Sequence, residues 1–192
     1  LHPVTVWRIL KRNKVRYSSS YKRWKPEPKL YALDVPGEEI QMDACFPYGR
    51  SRRLACFDAV DDCSRFAFSK CYEGETAKNA IDFITKVLQR APFPIQRVRV
   101  DNGYGKSFKF YCEEVLGIEV IENEPYSPKQ NGKVERYHGT MKKGCIYRYC
   151  SFEDSLEQHN YQLRLWLAYY NYERPHSGLK MNRHSPAQKI AS

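Results

Sequence analysis

From residue 38 onward the hydrophobic period of this chain is two, and three strand-like stretches follow one another before any helical pattern begins. EIQMDACF, RLACFDAV and RFAFSKCYE suit strands, and Asp61, Asp62 and Ser64 supply a turn between the second and the third. Strands so closely spaced predict an antiparallel meander. The pattern then changes. Thr76 opens a stretch in which Ala77, Ala80, Ile81, Ile84, Val87 and Leu88 recur at helical spacing, and the helix must end before Pro92. QRVRVD reads as a fourth strand, Asn102-Gly103 as a turn, SFKFYCEEVLG as a short helix closed by Gly117, and IEVIEN as a fifth strand. Strands first and alternation afterwards call for an α/β fold, a mixed five-stranded sheet flanked by helices. After Cys150, the residues Leu156, His159, Leu163, Trp166, Leu167 and Tyr170 mark a C-terminal amphipathic helix. NYERPHSGLKMNRHSPAQ then reads as an irregular basic tail, in which Arg174, His176 and Lys180 suit either DNA contact or a cap over the core.

Charge narrows the partners. The formal net charge is +10, and Arg8, Lys11, Arg12, Lys14, Arg16, Lys22, Arg23, Lys25 and Lys29 crowd the first segment, where Glu27 is the one acid. Clustered cations gain affinity by displacing counterions from phosphates, so nucleic acid is the expected partner, ahead of an acidic protein or a membrane surface. Residues 3–16 read as a helix with Pro3 in its first turn and an apolar stripe of Val6, Ile9 and Leu10; Thr5, Arg8 and Arg12 share the opposite face. Residues 17–37, rich in serine and proline, read as a basic linker. HPVTVWRILKRNKVR resembles the recognition helix of a helix-turn-helix, and its plainer use is a solvated basic helix packed on the core by Trp7 and Leu10; the expected division is 1–16, a partial helix-turn-helix-like DNA-binding helix; 17–37, the basic linker; 38–150, the core; and 151–192, the C-terminal helix and basic tail. No stretch approaches the apolar length of a membrane span, and Leu1-His2-Pro3 carries no secretory signal, so a cytoplasmic, nucleoid-associated protein is expected. The seven cysteines lack Cys-x-x-Cys spacing, and Cys45, Cys56, Cys63 and Cys71 sit among strand residues, where they read as buried free thiols.

Three carboxylates stand in settings suited to a hard divalent cation: Asp43 in the first strand, Asp101 at the end of VRVD, and Glu135 near the start of a helix within SPKQNGKVERYHGTMKK. Ile40, Met42, Ala44 and Phe46 on one face put Gln41, Asp43 and Cys45 on the other. Each acid also has a plainer use. Asp43 suits a solvent-facing strand position, Asp101-Asn102-Gly103 a simple turn, and Glu135 an exposed helix face beside Val134, Tyr137, Met141 and Cys145. Lys142 lies seven residues beyond Glu135 on the same helical side. His138 in the same helix suits a metal ligand or, ahead of that, a polar surface role, and Asp61 and Asp62 are rival acids that belong to a turn.

AVDDCSRFAF, APFPIQRVRVDNG, PYSPKQNGKVERYHGTMKK and YNYERPHSGLKMNRHSPAQ, taken in this order, resemble successive blocks of the DDE integrase catalytic core family, the insertion-sequence transposases and retroviral-type integrases. The resemblance implies a ribonuclease-H-like fold and a metal-binding catalytic triad of Asp43, Asp101 and Glu135 holding Mg2+ or Mn2+, two ions in all. It also implies metal-dependent DNA end cleavage and strand transfer, and at least a dimer on DNA. Lys142 matches a lysine that touches substrate DNA; Asn131 and Lys133 beside the glutamate, and Arg8 and Arg12 on the first helix, complete the expected DNA contacts. The interval from Asp101 to Glu135 is slightly shorter than the family's usual one, and DNGYGKSF lacks the acid common near the position of Lys106, so the loop departs from the pattern while the triad does not. Two other functions suit the same fold: a catalytically silent DNA-binding or regulatory relative, and a structure-selective nuclease that cuts without joining.

Overall fold

The computed structural model describes residues 2–15, 31–124 and 131–192. The chain forms two compact units, Leu1–Leu30 and Tyr31–Ser192. In the first, α1 (Pro3–Arg12) starts on Pro3, whose fixed φ suits a first turn, and on His2, whose Nδ1 accepts from the Val4 amide at 3.3 Å. Lys11 and Arg12 close it, where cations favour the negative end of the helix dipole. The helix stops short of residue 16: the Asn13 side-chain amide donates to the Ile9 carbonyl at 2.9 Å, and Lys14 leaves the helical path with a left-handed φ of 52°. Residues 17–30 of the expected linker lie outside the described residues. Its last part is bonded into the second unit: the Leu33 amide donates to Asp62 at 2.9 Å and the Gly37 amide to Asp61 at 2.8 Å.

The second unit is built on β1 (Ile40–Cys45), β2 (Leu54–Asp61), β3 (Ala67–Glu73), β4 (Arg97–Val100) and β5 (Glu119–Glu122), in spatial order β3-β2-β1-β4-β5. The first three strands pair antiparallel, as the expected meander requires; β4 runs parallel to both β1 and β5. Parallel pairs need crossovers, and α2 (Ala77–Arg90) and α3 (Gly105–Phe110, continued by a π-type turn through Val115) supply them. The Thr76 hydroxyl caps α2 by accepting from the Asn79 amide, and Gly117, at φ +69°, takes the left-handed conformation that ends the α3 segment.

Strand alternation divides the core in two. On one face Ile40, Met42, Phe57 and Ala59 pack against Phe83, Ile84 and Val87 of α2 and Phe108 of α3. On the other, Cys45, Cys56 and Cys71 pack against α4 (Gly132–Met141), through Val134, Tyr137 and Met141, and against Leu163 of a later helix. Each fully buried large apolar side chain contributes about 1.5–3 kcal/mol, so the two faces together hold the sheet between helices. α4 runs through a π-type turn, Lys142–Ile146, into α5 (Tyr147–Tyr149); α6 (Leu156–Ala168) follows, opened by a capping box of Ser155 and Gln158. Asn160 and Asn171 use their side-chain amides to satisfy the outer backbone of β3 at Cys71 and Ala67, which closes the sheet edge.

Two expectations are corrected here. Cys56 and Cys71 are joined in a disulfide, because β2 and β3 place them directly opposite each other with Cα atoms 4.1 Å apart. The tail is not irregular: it contains α7 (Pro186–Ile190), opened by a second capping box at Ser185, and it buries Met181 and His176. Burial and the neighbouring Arg174 push the His176 pKa down to about 4, and its ring sits edge-on to Tyr170 at 4.6 Å, so this part of the tail is a cap over the core. Among the described residues no helix is long and apolar enough to cross a membrane.

Candidate active site

The parallel pairing of β1 with β4 sets Ile40 opposite Val98 and Gln41 opposite Arg99. Continued two residues along, that register puts Asp43 beside Asp101, which follows the last residue of β4. The antiparallel pairing on the other side places Asp58 of β2 directly across from Asp43. Carboxylates from β1, from β2 and from the residue just past β4 thus come together at one place on the sheet. Asp43 is half-buried, and burial pushes its pKa up to about 6, with the charges of Asp101 and Asp58 adding to the rise and the His138 imidazole opposing it. Asp58 is fully buried and Asp101 is exposed.

His138 departs from its expected surface role. It does not lie on the surface but is buried on α4, with Nδ1 4.0 Å from Asp43 Oδ2 and Nε2 3.2 Å from Asp58 Oδ2. The Nε2 contact lacks the direction of a hydrogen bond and acts as an ion pair. Burial alone would lower the histidine pKa; Asp58 and then Asp43 overcome that and raise it.

Glu135 occupies the first turn of α4, exposed, and makes no ion pair among the described residues. What fixes its helix is Gln41. Asn131 stands at the N-cap of α4 without capping it, and the fully buried Gln41 carbonyl accepts instead from the amides of Lys133 (3.1 Å) and Val134 (3.3 Å). Gln41 is two residues from Asp43 on the same strand face, so one side chain ties the Glu135 helix to the strand that bears Asp43. Lys142, seven residues on, lies near enough to Cys45 and His138 for its charge to lower the pKa of both.

Two residues expected to touch DNA are turned inward. Asn131 is buried. The Lys133 ammonium pairs with the fully buried Asp62, donates to the Asp62 carbonyl at 3.3 Å and lies 4.1 Å from the centre of the Tyr31 ring. Burial lowers its pKa to about 8 against the opposing pull of Asp62. Asp61 and Asp62 hold the turn as expected, Asp61 accepting from Ser64 and Gly37. Arg8 and Arg12 lie exposed on α1, in the first unit. Gln41 and Asp58 were missed as site residues, although each had a signal: Gln41 alternates with Asp43, and Asp58 is an acid within an otherwise apolar run, LACFDAV.

The donor set fits a hard divalent cation. Asp43, Asp101 and Glu135 offer carboxylate oxygens only, and burial, with the charges of Asp101 and Asp58 adding to it, raises the Asp43 pKa, a penalty that a bound cation relieves.

Residues 116–183 match the family described as the integrase core domain. The insertion element IS476 uncharacterized 39.2 kDa protein of Xanthomonas euvesicatoria is 30% identical over 85% of this chain and 47% of its own length. The putative integrase ORF3 of Spiroplasma virus SpV1-C74 is 24% identical over 91% of this chain and 54% of its own. The chain thus spans about half the length of these curated relatives. Among solved structures, the HTLV-2 integrase catalytic core domain in complex with magnesium, in its trimeric form, superposes with a TM-score of 0.65 at 18% identity, over 83% of this chain and 99% of that one. The sheet order, the crossovers and this superposition identify a ribonuclease-H-like fold. Residues 116–183 thus match the integrase core domain, and the chain as a whole is similar to insertion-element and viral integrase proteins and shares the fold of an integrase catalytic core.

Proposed function

We propose that this chain is the catalytic core of a DNA transposase or integrase, which cuts the ends of a DNA element and joins the freed 3′-hydroxyl to target DNA. The observation that carries this reading is the strand register that sets Asp43 beside Asp101, together with the Gln41 cap that ties the Glu135 helix to the same strand. Asp43, Asp101 and Glu135 would hold Mg2+ or Mn2+, in two ions. When bound, such ions activate the attacking oxygen and stabilise the departing 3′ oxygen of an in-line displacement. The HTLV-2 core in its magnesium complex supports the choice of ion.

The protein's own groups hold the parts in place. His138 steadies the Asp43 carboxylate from the side of α4, and Gln41 fixes the start of that helix. Lys142, Arg8 and Arg12 are the phosphate contacts in this proposal; Lys133 is engaged by Asp62 and supports the first turn of α4, next to the buried Asn131. Residues 1–16 serve as a DNA-binding helix and 38–150 as the catalytic core, and the protein acts as a homodimer or higher multimer, because two element ends require two cores. Its place is with the DNA, in the cytoplasm at the nucleoid.

Incubation with Mn2+ and an oligonucleotide carrying the presumed element end tests the reading, with Asp101→Asn and Glu135→Gln in parallel. Cleaved and joined products from the unaltered chain, lost in both variants, are expected. Cleavage without joining would make it a nuclease, and no product despite DNA binding would make it a silent DNA-binding relative.

A further inference from the structure

Beside the carboxylates of the candidate active site, the same sheet face carries a second set of donors, of which the proposed strand transfer uses only the Nδ1 side of His138. Cys45 on β1, Asp58 on β2 and His138 on α4 are all buried, and one donor atom from each lies within 4.8 Å of the other two. Cys45 Sγ is 3.6 Å and His138 Nε2 is 3.2 Å from the same Asp58 oxygen, Oδ2. A tetrahedral zinc centre, with Zn–S of about 2.3 Å and Zn–N and Zn–O of about 2.0–2.1 Å, requires ligand-to-ligand edges of about 3.3–3.6 Å. Both measured edges are close to that requirement. His138 Nε2, moreover, is a buried ring nitrogen with no hydrogen bond of its own, aimed into the cluster.

We propose that Cys45, Asp58 and His138 bind a zinc-type divalent ion through three protein ligands, leaving a fourth position for water. The proposal stands apart from the reading of the triad, because the donors differ in kind: sulfur, imidazole nitrogen and one carboxylate select a borderline-soft ion, whereas the triad offers oxygen alone. Burial and the Asp58 charge hold the proton on the Cys45 thiol in the metal-free protein, with Lys142 opposing them, so the ion itself drives its loss; that proton and any proton on His138 Nε2 leave to solvent on binding. Outer partners are already in place. Asp58 Oδ1 accepts from the Ser69 hydroxyl, which is 2.7 Å from the Tyr137 hydroxyl, and the free Nδ1 of His138 faces Asp43. A ligating histidine whose second nitrogen faces a carboxylate is the usual support for a bound metal. Cys45 is a free thiol, while Cys56, its cross-strand neighbour, is held in the disulfide with Cys71.

The experiment is a Co2+ titration of the metal-stripped full chain, read by the thiolate-to-cobalt charge-transfer band and the visible bands of tetrahedral cobalt, followed by displacement with Zn2+. One equivalent of Co2+ with a thiolate band, bleached by Zn2+, is expected. An Asp101→Asn/Glu135→Gln double variant, which lacks the oxygen site, keeps the band; Cys45→Ser and His138→Gln, each checked for folding by circular dichroism, lose it. Ser69→Ala, which removes only an outer partner, weakens binding by about 10-fold. Absence of the band in the unaltered chain overturns the proposal by itself, and so does a band that survives in folded Cys45→Ser or His138→Gln.

Discussion

Replacing Asp43 by asparagine removes a candidate metal ligand and, in the metal-free protein, should stabilise the fold. The Asp43 carboxyl has a pKa of about 6 in the folded chain, and an aspartate in an unfolded chain has about 3.9. The folded state therefore prefers the protonated acid. Below about pH 4 both states carry the proton and no penalty exists; between about pH 4 and 6 the penalty grows, and above about pH 6 it is fully present. The difference corresponds to about 3 kcal/mol, which solvent screening of a side chain 28% exposed reduces to about 1–2 kcal/mol. Asparagine keeps the oxygen that accepts from the Ala44 amide and loses the charge that Asp101 and Asp58 oppose. Urea denaturation of the two proteins in EDTA should show Asp43→Asn more stable by about 1–2 kcal/mol at pH 7.5, or about 3–6 °C in Tm, and equal to the parent near pH 4. Millimolar Mg2+ should then raise the stability of the parent and leave the variant unchanged, since an ion that binds only the native state stabilises it. A variant less stable than the parent at pH 7.5, or a gain as large at pH 4, would refute the argument that unrelieved carboxylate charge is stored at this site.

Gln41→Met should cost about 2 kcal/mol, because two amides at the start of α4 lose their acceptor; faster hydrogen exchange at Lys133 and Val134 would locate the loss, and unchanged exchange would exclude the cap. Glu39, whose side chain is 3% exposed, bonds both Arg97 and Arg99, so Glu39→Gln should destabilise by about 3–5 kcal/mol in urea denaturation. Burial would raise the Glu39 pKa, but the two guanidinium groups prevail and hold it low, so its contribution is present above the ordinary glutamate range and fades as pH falls through the depressed pKa; a Glu39→Gln cost that does not shrink in acid would contradict this. A Cβ on Gly144 would clash with the Trp166 ring, so Gly144→Ala should cost about 1–3 kcal/mol and change the tryptophan emission, whereas a silent substitution would mean that the ring is free to move. Arg8→Ala and Arg12→Ala should each weaken DNA binding and reduce the slope of log K against log salt by about 1; an unchanged slope would remove α1 from the phosphate contacts.

The order of strands and helices could be read along the chain because each element is declared by its own residues. The two-residue period of EIQMDACF, the Thr76 cap and the Gly117 stop are local signals, and the structure has β1, α2 and the end of the α3 segment where those signals stand. The same alternation put Asp43 on the face opposite Met42, and the four ordered blocks pointed to the family. What local patterns do not contain is which distant residues meet. The register of β1 with β4 put Asp43 beside Asp101, 58 positions away in sequence, and a helix docked on the other sheet face buried His138 between Asp43 and Asp58. The Cys56–Cys71 bond, the Lys133–Asp62 pair and the packing of the tail through Met181 likewise depend on long-range contacts. A side chain's charge, exposure and partners follow from the neighbours it receives in three dimensions, so the sequence by itself determined the elements and the acids, and only the tertiary structure decided which acids share a site and which cations are free to serve it.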